Sequence, residues 1–250
     1  HPACPSTFHV EEFIIQYQDV KGNCPQTIVE KLNTLDRAFR YFQVDSTFPH
    51  STDFDPFEAA KHRVELHGDG PKRPHPLRLT ELRDSVQGIT HVRDRSIVVA
   101  QFKLGLRASE LCNVKLSEVS IEDSEIQRHF DQVGTHPQVR DRPNSIYIPH
   151  NRPRNKSTRP RCLPLDDELR DLFRRYLSCR PDNDEPWMFL SKKSARKLNY
   201  KNVNEDVWKK YFRPRYGPTD NYRGISSHFG RHFFTTWWMV KREIPRPLVK

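Results

Sequence analysis

Gly105-Leu106-Arg107-Ala108-Ser109-Glu110-Leu111 and His228-Phe229-Gly230-Arg231-His232 are the stretches that decide how this chain is read. Each sets one arginine in an apolar helical context, where a lone guanidinium is costly unless it meets an anion. Gly105 predicts a left-handed helix stop, which puts Arg107 at a helix junction, able to point into a cleft. Glu110, three residues on, can hold that arginine or cap the following helix. Taken alone, these few residues favour a structural Arg–Glu pair. In the second stretch His228 shares a helix face with Arg231 and with His232. At a helix N-terminus His228 and Arg231 would make an anion site, because the helix end adds positive potential. A packed core histidine remains the plain alternative at either position. A His pair four residues apart could also bind zinc, but Phe229 stands where the His-Glu-x-x-His pattern needs glutamate, so no metal is expected.

Bulk composition narrows the partners. The chain has 250 residues, 35% hydrophobic and 30% charged, which suits one large or two modest globular domains. Its net charge of +10 is uneven, −3 over residues 1–90 and +13 over residues 91–250. Concentrated positive charge points to a polyanion such as nucleic acid, although it also aids solubility. No apolar run approaches a membrane span and no secretory signal opens the chain, so a cytoplasmic protein is expected, without membrane partner. Cys4, Cys24, Cys112, Cys162 and Cys179 show no zinc-finger spacing and read as reduced thiols. The chain begins at His1 rather than Met and ends in Glu243-Ile244-Pro245-Arg246-Pro247-Leu248-Val249-Lys250, which reads as a helix barely begun. An internal fragment is the expectation.

The chain reads as mainly α with a small antiparallel β-sheet. Residues 8–65 are helical in pattern. From Thr27, a plausible N-cap, Ile28, Val29, Leu32, Leu35, Phe39 and Phe42 recur at helical steps and predict one buried face. Asp55-Pro56 starts another turn or short helix through Ala60. His67 to Pro76 is rich in glycine and proline, with no apolar period, and is the best linker. The domain reading is 1–66, a linker at 67–78, and 79–250. Helices are predicted at 79–87, 92–104, 108–115, from Asp166 or Asp167 through Cys179, at 201–212, and from Ser226 or Ser227 to about Lys241. Strands are predicted at 119–121, 145–148 and 161–165. The last two flank a loop in which Arg152, Arg154, Lys156, Arg159 and Arg161 occur without an acid. Such a run is usually a solvated turn, but a tip lysine between two strands could enter a DNA groove. Lys156 is that candidate.

Together, order, spacing and hairpin resemble the tyrosine recombinase (phage integrase) family, in the flavour of its archaeal members. Arg107 in Gly-Leu-Arg-Ala-Ser-Glu-Leu looks like the family's first arginine motif, His228-Phe229-Gly230-Arg231 like its His-x-x-Arg motif, and Lys156 sits in the loop of its catalytic lysine. The stretch Phe13–Ala60 resembles its helical core-binding domain. The resemblance implies an N-terminal helical core-binding (SAM-like) domain that helps encircle DNA, joined to a catalytic domain of the DNA breaking-rejoining fold.

It also implies a mechanism without cofactor or metal. Arg107 and Arg231 would clamp the non-bridging phosphate oxygens, Lys156 would protonate the leaving 5′ oxygen, and His228 would assist. Glu110 and His232 would support, and Arg152, Arg154, Arg159 and Arg161 would contact DNA. The implied partners are double-stranded DNA and further copies of the chain, as a tetramer on paired sites. One departure stands out. The family's nucleophilic tyrosine follows the His-x-x-Arg motif, yet no tyrosine follows His232; Tyr200, Tyr211, Tyr216 and Tyr222 all precede His228. Trp237 and Trp238 lie too close to Arg231 for the later His/Trp position, and are expected to pack the helix. The implied activity is therefore site-specific DNA recombination with the nucleophile outside these residues. The alternative is a non-catalytic DNA-binding regulator built on the same clamp.

Overall fold

A computed structural model describes residues 4–45, 47, 53–67 and 72–245. The chain divides into two compact units, residues 1–73 and 74–250. Residues 68–71 of the glycine- and proline-rich stretch, and 246–250 of the tail Glu243–Lys250 read above as an incipient helix, lie outside the described residues, while 243–245 are not helical.

The first unit holds α1 (Thr7–Ile15), α2 (Pro25–Val44) and α3 (Pro56–Arg63). Ser6 caps α1 reciprocally with His9: its Oγ accepts the His9 amide, and His9 Nδ1 accepts the Ser6 amide at 3.1 Å. α2 starts earlier than Thr27 suggested. Pro25 occupies its first turn behind Cys24, where a fixed φ is useful and a missing N–H costs nothing. Asp55 caps α3, accepting the Phe57 and Glu58 amides at 3.0 Å. Ile28, Leu32 and Phe39 of α2 are buried with Val10, Ile14, Phe57 and Ala60. Leu35 departs from the expected face, being 41% exposed. It lies on the same stripe, but the short α1 and α3 leave it lining an open apolar cleft of about 310 Å³ with Phe13, Phe42 and Phe57.

In the second unit, α4 (Leu79–Gln87) and α5 (Val92–Leu104) occupy the predicted spans. α6 (Ala108–Cys112) stops short of residue 115, because the chain turns at Asn113 and Lys115 bridges to Trp187. α7 (Ser124–His129), capped by Asp123, is too short to show an apolar period and was not anticipated. α8 (Asp167–Ser178) is capped by Asp166. The helix predicted at 201–212 is longer: α9 (Tyr200–Asn202) widens through Val203–Lys209 into α10 (Lys210–Tyr216), which contains Pro214. α11 (His228–Thr236) likewise widens through Trp237–Lys241. Three antiparallel strands, β1 (Val119–Ser120), β2 (Ser145–Ile148) and β3 (Arg161–Pro164), lie in sequence order. Val119 pairs with Ile146, and Ile148 with Arg161, so the basic loop 149–160 closes the β2–β3 hairpin.

α5 is the hub of this unit, packed between α8 and α11. Ile97, Val98, Val99 and Ala100 are buried, but so are Arg93, Asp94, Ser96 and Gln101. Buried polar groups are tolerable only when partnered, and these are. Asp94 accepts from Arg93, from Lys192 at 2.5 Å and from the Tyr211 hydroxyl at 3.1 Å. Ser96 donates to the Val92 and Leu172 carbonyls. Among the described residues no helix is long and apolar enough to cross a membrane.

Gly105 ends α5 at φ 62°. A Cβ there would sit 2.5 Å from the Phe234 ring. Gly105→Ala therefore meets both a left-handed backbone penalty and a clash. The expected outcome is a loss of about 2 kcal/mol in denaturant unfolding, with the m-value unchanged.

Candidate active site

The two arginine segments meet across one side chain. Gln101, a lone amide in the apolar run of α5, donates through Nε2 to the Leu106 carbonyl at 3.1 Å and to the Ser227 carbonyl at 3.3 Å. Its Oε1 accepts the Trp208 indole N–H at 2.6 Å. Leu106 precedes Arg107 and Ser227 precedes His228, so one buried amide holds both segments in register. Gly230 lets this happen: a Cβ there would stand 3.0 Å from Trp208 and 3.1 Å from Gln101. Arg231 Nη1 then donates to the Gly105 carbonyl at 2.7 Å, tying the second arginine to the turn that carries the first.

Glu110 organises the other side. Its buried carboxylate accepts the Arg107 backbone amide and Arg107 Nη1, both at 2.9 Å, the Ser157 hydroxyl at 2.9 Å and Arg161 Nη2 at 3.1 Å. Burial pushes its pKa up, but the Arg107 amide, the Arg161 charge, the Ser157 hydroxyl and the Arg107 charge outweigh that, and the net shift is downward. It stays ionised at neutral pH and offers no proton. Arg107 keeps part of its guanidinium open, with its side chain 29% exposed.

The potential in this corner is strongly positive. Burial, then the neighbouring Arg107, lower the pKa of Arg231, with Glu110 opposing. His228 begins α11. Partial burial, followed by the charges of His232, Arg223, Arg231 and Arg107, drives its pKa down, so it is neutral at pH 7 and able to accept as well as donate. The His232 ring stands edge-on to it, 4.4 Å between centroids. Partial burial, Arg223 and Arg231 depress His232 in turn. Among the described residues no group of three or more His, Cys, Asp or Glu is placed to hold a metal ion. Trp237 stacks on Phe233 at 6.0 Å, while Trp238 is 39% exposed.

The basic loop divides into two kinds of cation. Arg152 and Arg161, read as DNA contacts, are turned inward onto buried carboxylates: Arg152 grips Glu118 through both Nη atoms, and Arg161 grips Glu110. Such pairs shape the loop rather than offering free charge. Arg154, Lys156 and Arg159 are exposed. Lys156 forms no hydrogen bond or ion pair among the described residues. Its neighbours are pinned. Asn155 accepts from Asn113 at 2.8 Å and donates to the Pro149 carbonyl at 2.7 Å, and Ser157 donates to Glu110. A free ammonium thus stands between two fixed residues. Gln101, Asn113, Ser157 and Arg223 went unread in the sequence; only Gln101 carried a signal, as a polar residue inside an apolar helical run.

The sequence profile of the phage integrase family matches residues 77–250, which hold all of these groups. The chain belongs to the phage integrase family. Among curated members it is 29% identical over 172 residues to the tyrosine recombinase XerA of Thermococcus kodakarensis, covering 66% of this chain and 50% of that one. It is 30% identical over 131 residues to XerA of Pyrococcus horikoshii, covering 51% and 37%. The chain thus spans half or less of these relatives' length. Solved integrases share its fold at low identity. The Tn1549 transposon integrase in complex with transposon right-end DNA superposes with a TM-score of 0.70 at 16% identity, over 100% of this chain and 77% of that one. A lambda integrase tetramer bound to a Holliday junction gives 0.61 at 13%, over 98% and 62%.

Within this integrase fold Glu110 is the acid on which the corner depends. Glu110→Gln leaves Arg107 and Arg161 without their counter-charge and should cost about 3 kcal/mol at pH 7. Because the folded carboxylate titrates below its ordinary value of 4.5, its contribution is present above that pH and fades as pH falls through the folded value. Chemical unfolding across this range should therefore show wild type and Glu110→Gln converging in acid.

Proposed function

We propose that this chain carries the phosphate-binding centre of a site-specific DNA recombinase. The observation that supports it best is the bond from Arg231 to the Gly105 carbonyl, which packs two guanidinium groups from separate segments into one corner. Like charges so placed cost free energy unless an anion joins them, and a phosphodiester offers two non-bridging oxygens that a pair of arginines can share.

In this reading Arg107 and Arg231 bind the scissile phosphate as its charge reorganises in the transition state. A tyrosine hydroxyl attacks phosphorus; the bond to the 5′ oxygen breaks, leaving a 3′-phosphotyrosine and a free 5′-hydroxyl. Lys156, free between two pinned neighbours, gives a proton to that leaving oxygen. Neutral His228 hydrogen-bonds the phosphate and handles protons, with His232 orienting beside it and Glu110 holding Arg107. Arg154 and Arg159, and to a lesser extent the inward-turned Arg152 and Arg161, supply the surrounding positive field. Residues 1–66 act as the DNA clamp, joined through 67–78 to a catalytic domain at 79–250. The active assembly is a tetramer on paired duplex sites.

No tyrosine follows His232, so residues 1–250 alone bind DNA without forming the covalent intermediate. The second reading is a DNA-binding regulator that uses the clamp without cutting. A nicked suicide duplex separates these outcomes. Residues 1–250 should bind it, with affinity falling as salt rises, and should leave no protein–DNA adduct on a denaturing gel; an adduct would overturn the assignment of the nucleophile. With a downstream tyrosine-bearing segment joined on, an adduct should form, and Arg107→Ala or Arg231→Ala should each slow it on the order of 10²–10³-fold. Absence of any adduct from the longer chain would leave the regulator.

A further inference from the structure

A second positively charged cleft, of about 630 Å³, is lined by Ser109 and Cys112 of α6 and by Asn113 just after it. Its four cations come from three separate places in the chain. Lys115 follows α6, Arg152 and Arg154 belong to the hairpin loop, and Lys197 precedes α9. Trp187 forms a floor beneath three of them. Lys197 Nζ stands 3.5 Å from the indole centroid, Lys115 Nζ 5.7 Å and Arg152 Cζ 5.9 Å. Arg154 lies over the Tyr200 ring at 5.1 Å, in a left-handed backbone conformation at φ 69°.

Among the described residues no aspartate or glutamate lines the cleft. Arg152 has Glu118 as its counter-ion, but Lys115, Arg154 and Lys197 form no ion pair among the described residues. Aromatic faces soften the cost of grouping such cations without cancelling their charge. Burial, together with Arg152, Lys115 and Arg154, pulls Lys197 below its ordinary pKa, with Cys112 opposing. Lys103, by contrast, ion-pairs with Asp166 and Glu168. The cleft is therefore a cluster of two partly buried and two exposed cations, arranged by tertiary contacts and short of counter-charge.

We propose that Lys115, Lys197 and Arg154 bind a backbone phosphate of the same DNA duplex, at a position separate from the phosphate held by Arg107 and Arg231. This rests on the DNA-binding reading above and adds a contact that the motifs do not contain. The cleft is wired to the hairpin. Lys197 Nζ donates to Asn113 Oδ1 at 2.6 Å, and Asn113 Nδ2 donates to Asn155 Oδ1 at 2.8 Å and to the Pro153 carbonyl at 3.0 Å. Asn155 adjoins Lys156. A phosphate drawn onto Lys197 thus bears on the residues that set the Lys156 loop. Phosphate is preferred to a stacked base because Lys197 already covers Trp187.

The test is the salt dependence of binding to a mixed-sequence duplex oligonucleotide by residues 1–250. Each phosphate contact contributes about 0.9 to the slope of log affinity against log salt. Lys115→Gln/Lys197→Gln should remove that one contact, lowering the slope by about 0.9 and weakening binding at low salt by about tenfold, and Lys197→Gln alone should lower the slope by a measurable part of that amount. Lys197→Arg, which retains the charge, should keep most of the wild-type slope. Lys103→Gln should leave it unchanged. Thermal unfolding of each variant shows whether it is folded. A folded Lys197→Gln variant with the wild-type slope overturns the site, and so does Lys197→Arg falling as far as Lys197→Gln. Wild-type protein that shows no salt-dependent duplex binding overturns the DNA reading itself, a distinguishable failure.

Discussion

The buried amide of Gln101 is the constraint on which this structure turns. It sits three residues before the end of α5 and bonds three partners, two backbone carbonyls and an indole. An unsatisfied buried amide would cost of order 1–3 kcal/mol per group, so the three partners must stay in place together. Two of them are the residues just before Arg107 and His228. Gly230 is the complementary concession: without a side chain, α11 can approach Trp208 and Gln101 closely enough for Arg231 to reach the Gly105 carbonyl. The positive corner is thus assembled by core packing, which makes it rigid before any ligand arrives.

Charge is handled differently in different parts of the second unit. In the core, Asp94 balances Arg93 and Lys192. At the edge of the corner, Glu110 serves Arg107 and Arg161 together, so one carboxylate answers two guanidinium groups and Arg231 is left with a carbonyl. Around Trp187 the cations have aromatic faces and amides but only one acid, committed to Arg152. In each place cations outnumber the carboxylates that meet them, which is the physical form of the +13 net charge of residues 91–250. Several of these cations are already held by hydrogen bonds to neighbouring groups, so less ordering entropy remains to be lost on meeting an anion.

Much of the architecture was legible because it rests on local rules. The α5 stop at Gly105, the Asp55 and Asp166 caps and the β2–β3 hairpin each follow from residues within a few positions of the feature. The misses share a different cause. Leu35 fits the apolar stripe of α2 and is still exposed, because burial depends on how far the neighbouring helices reach. α7 is too short for periodicity to register. Arg152 and Arg161 read as surface cations, since nothing within the loop reveals Glu118 and Glu110 beneath it.

By itself the sequence determined the family, the helical character, the hairpin and the two arginine segments, because all of these are written in short-range patterns of residue type. Tertiary structure alone decided which charges are spent and which are free. Arg107, Arg152 and Arg161 are chemically alike in sequence, yet one is left partly open over its carboxylate and two are turned inward. Lys115 and Lys197 are 82 positions apart and share one indole ring only in the folded chain. The reason is that a charge's energy depends on its distance to every other charge and on its exposure to water, and neither quantity exists until the chain has folded.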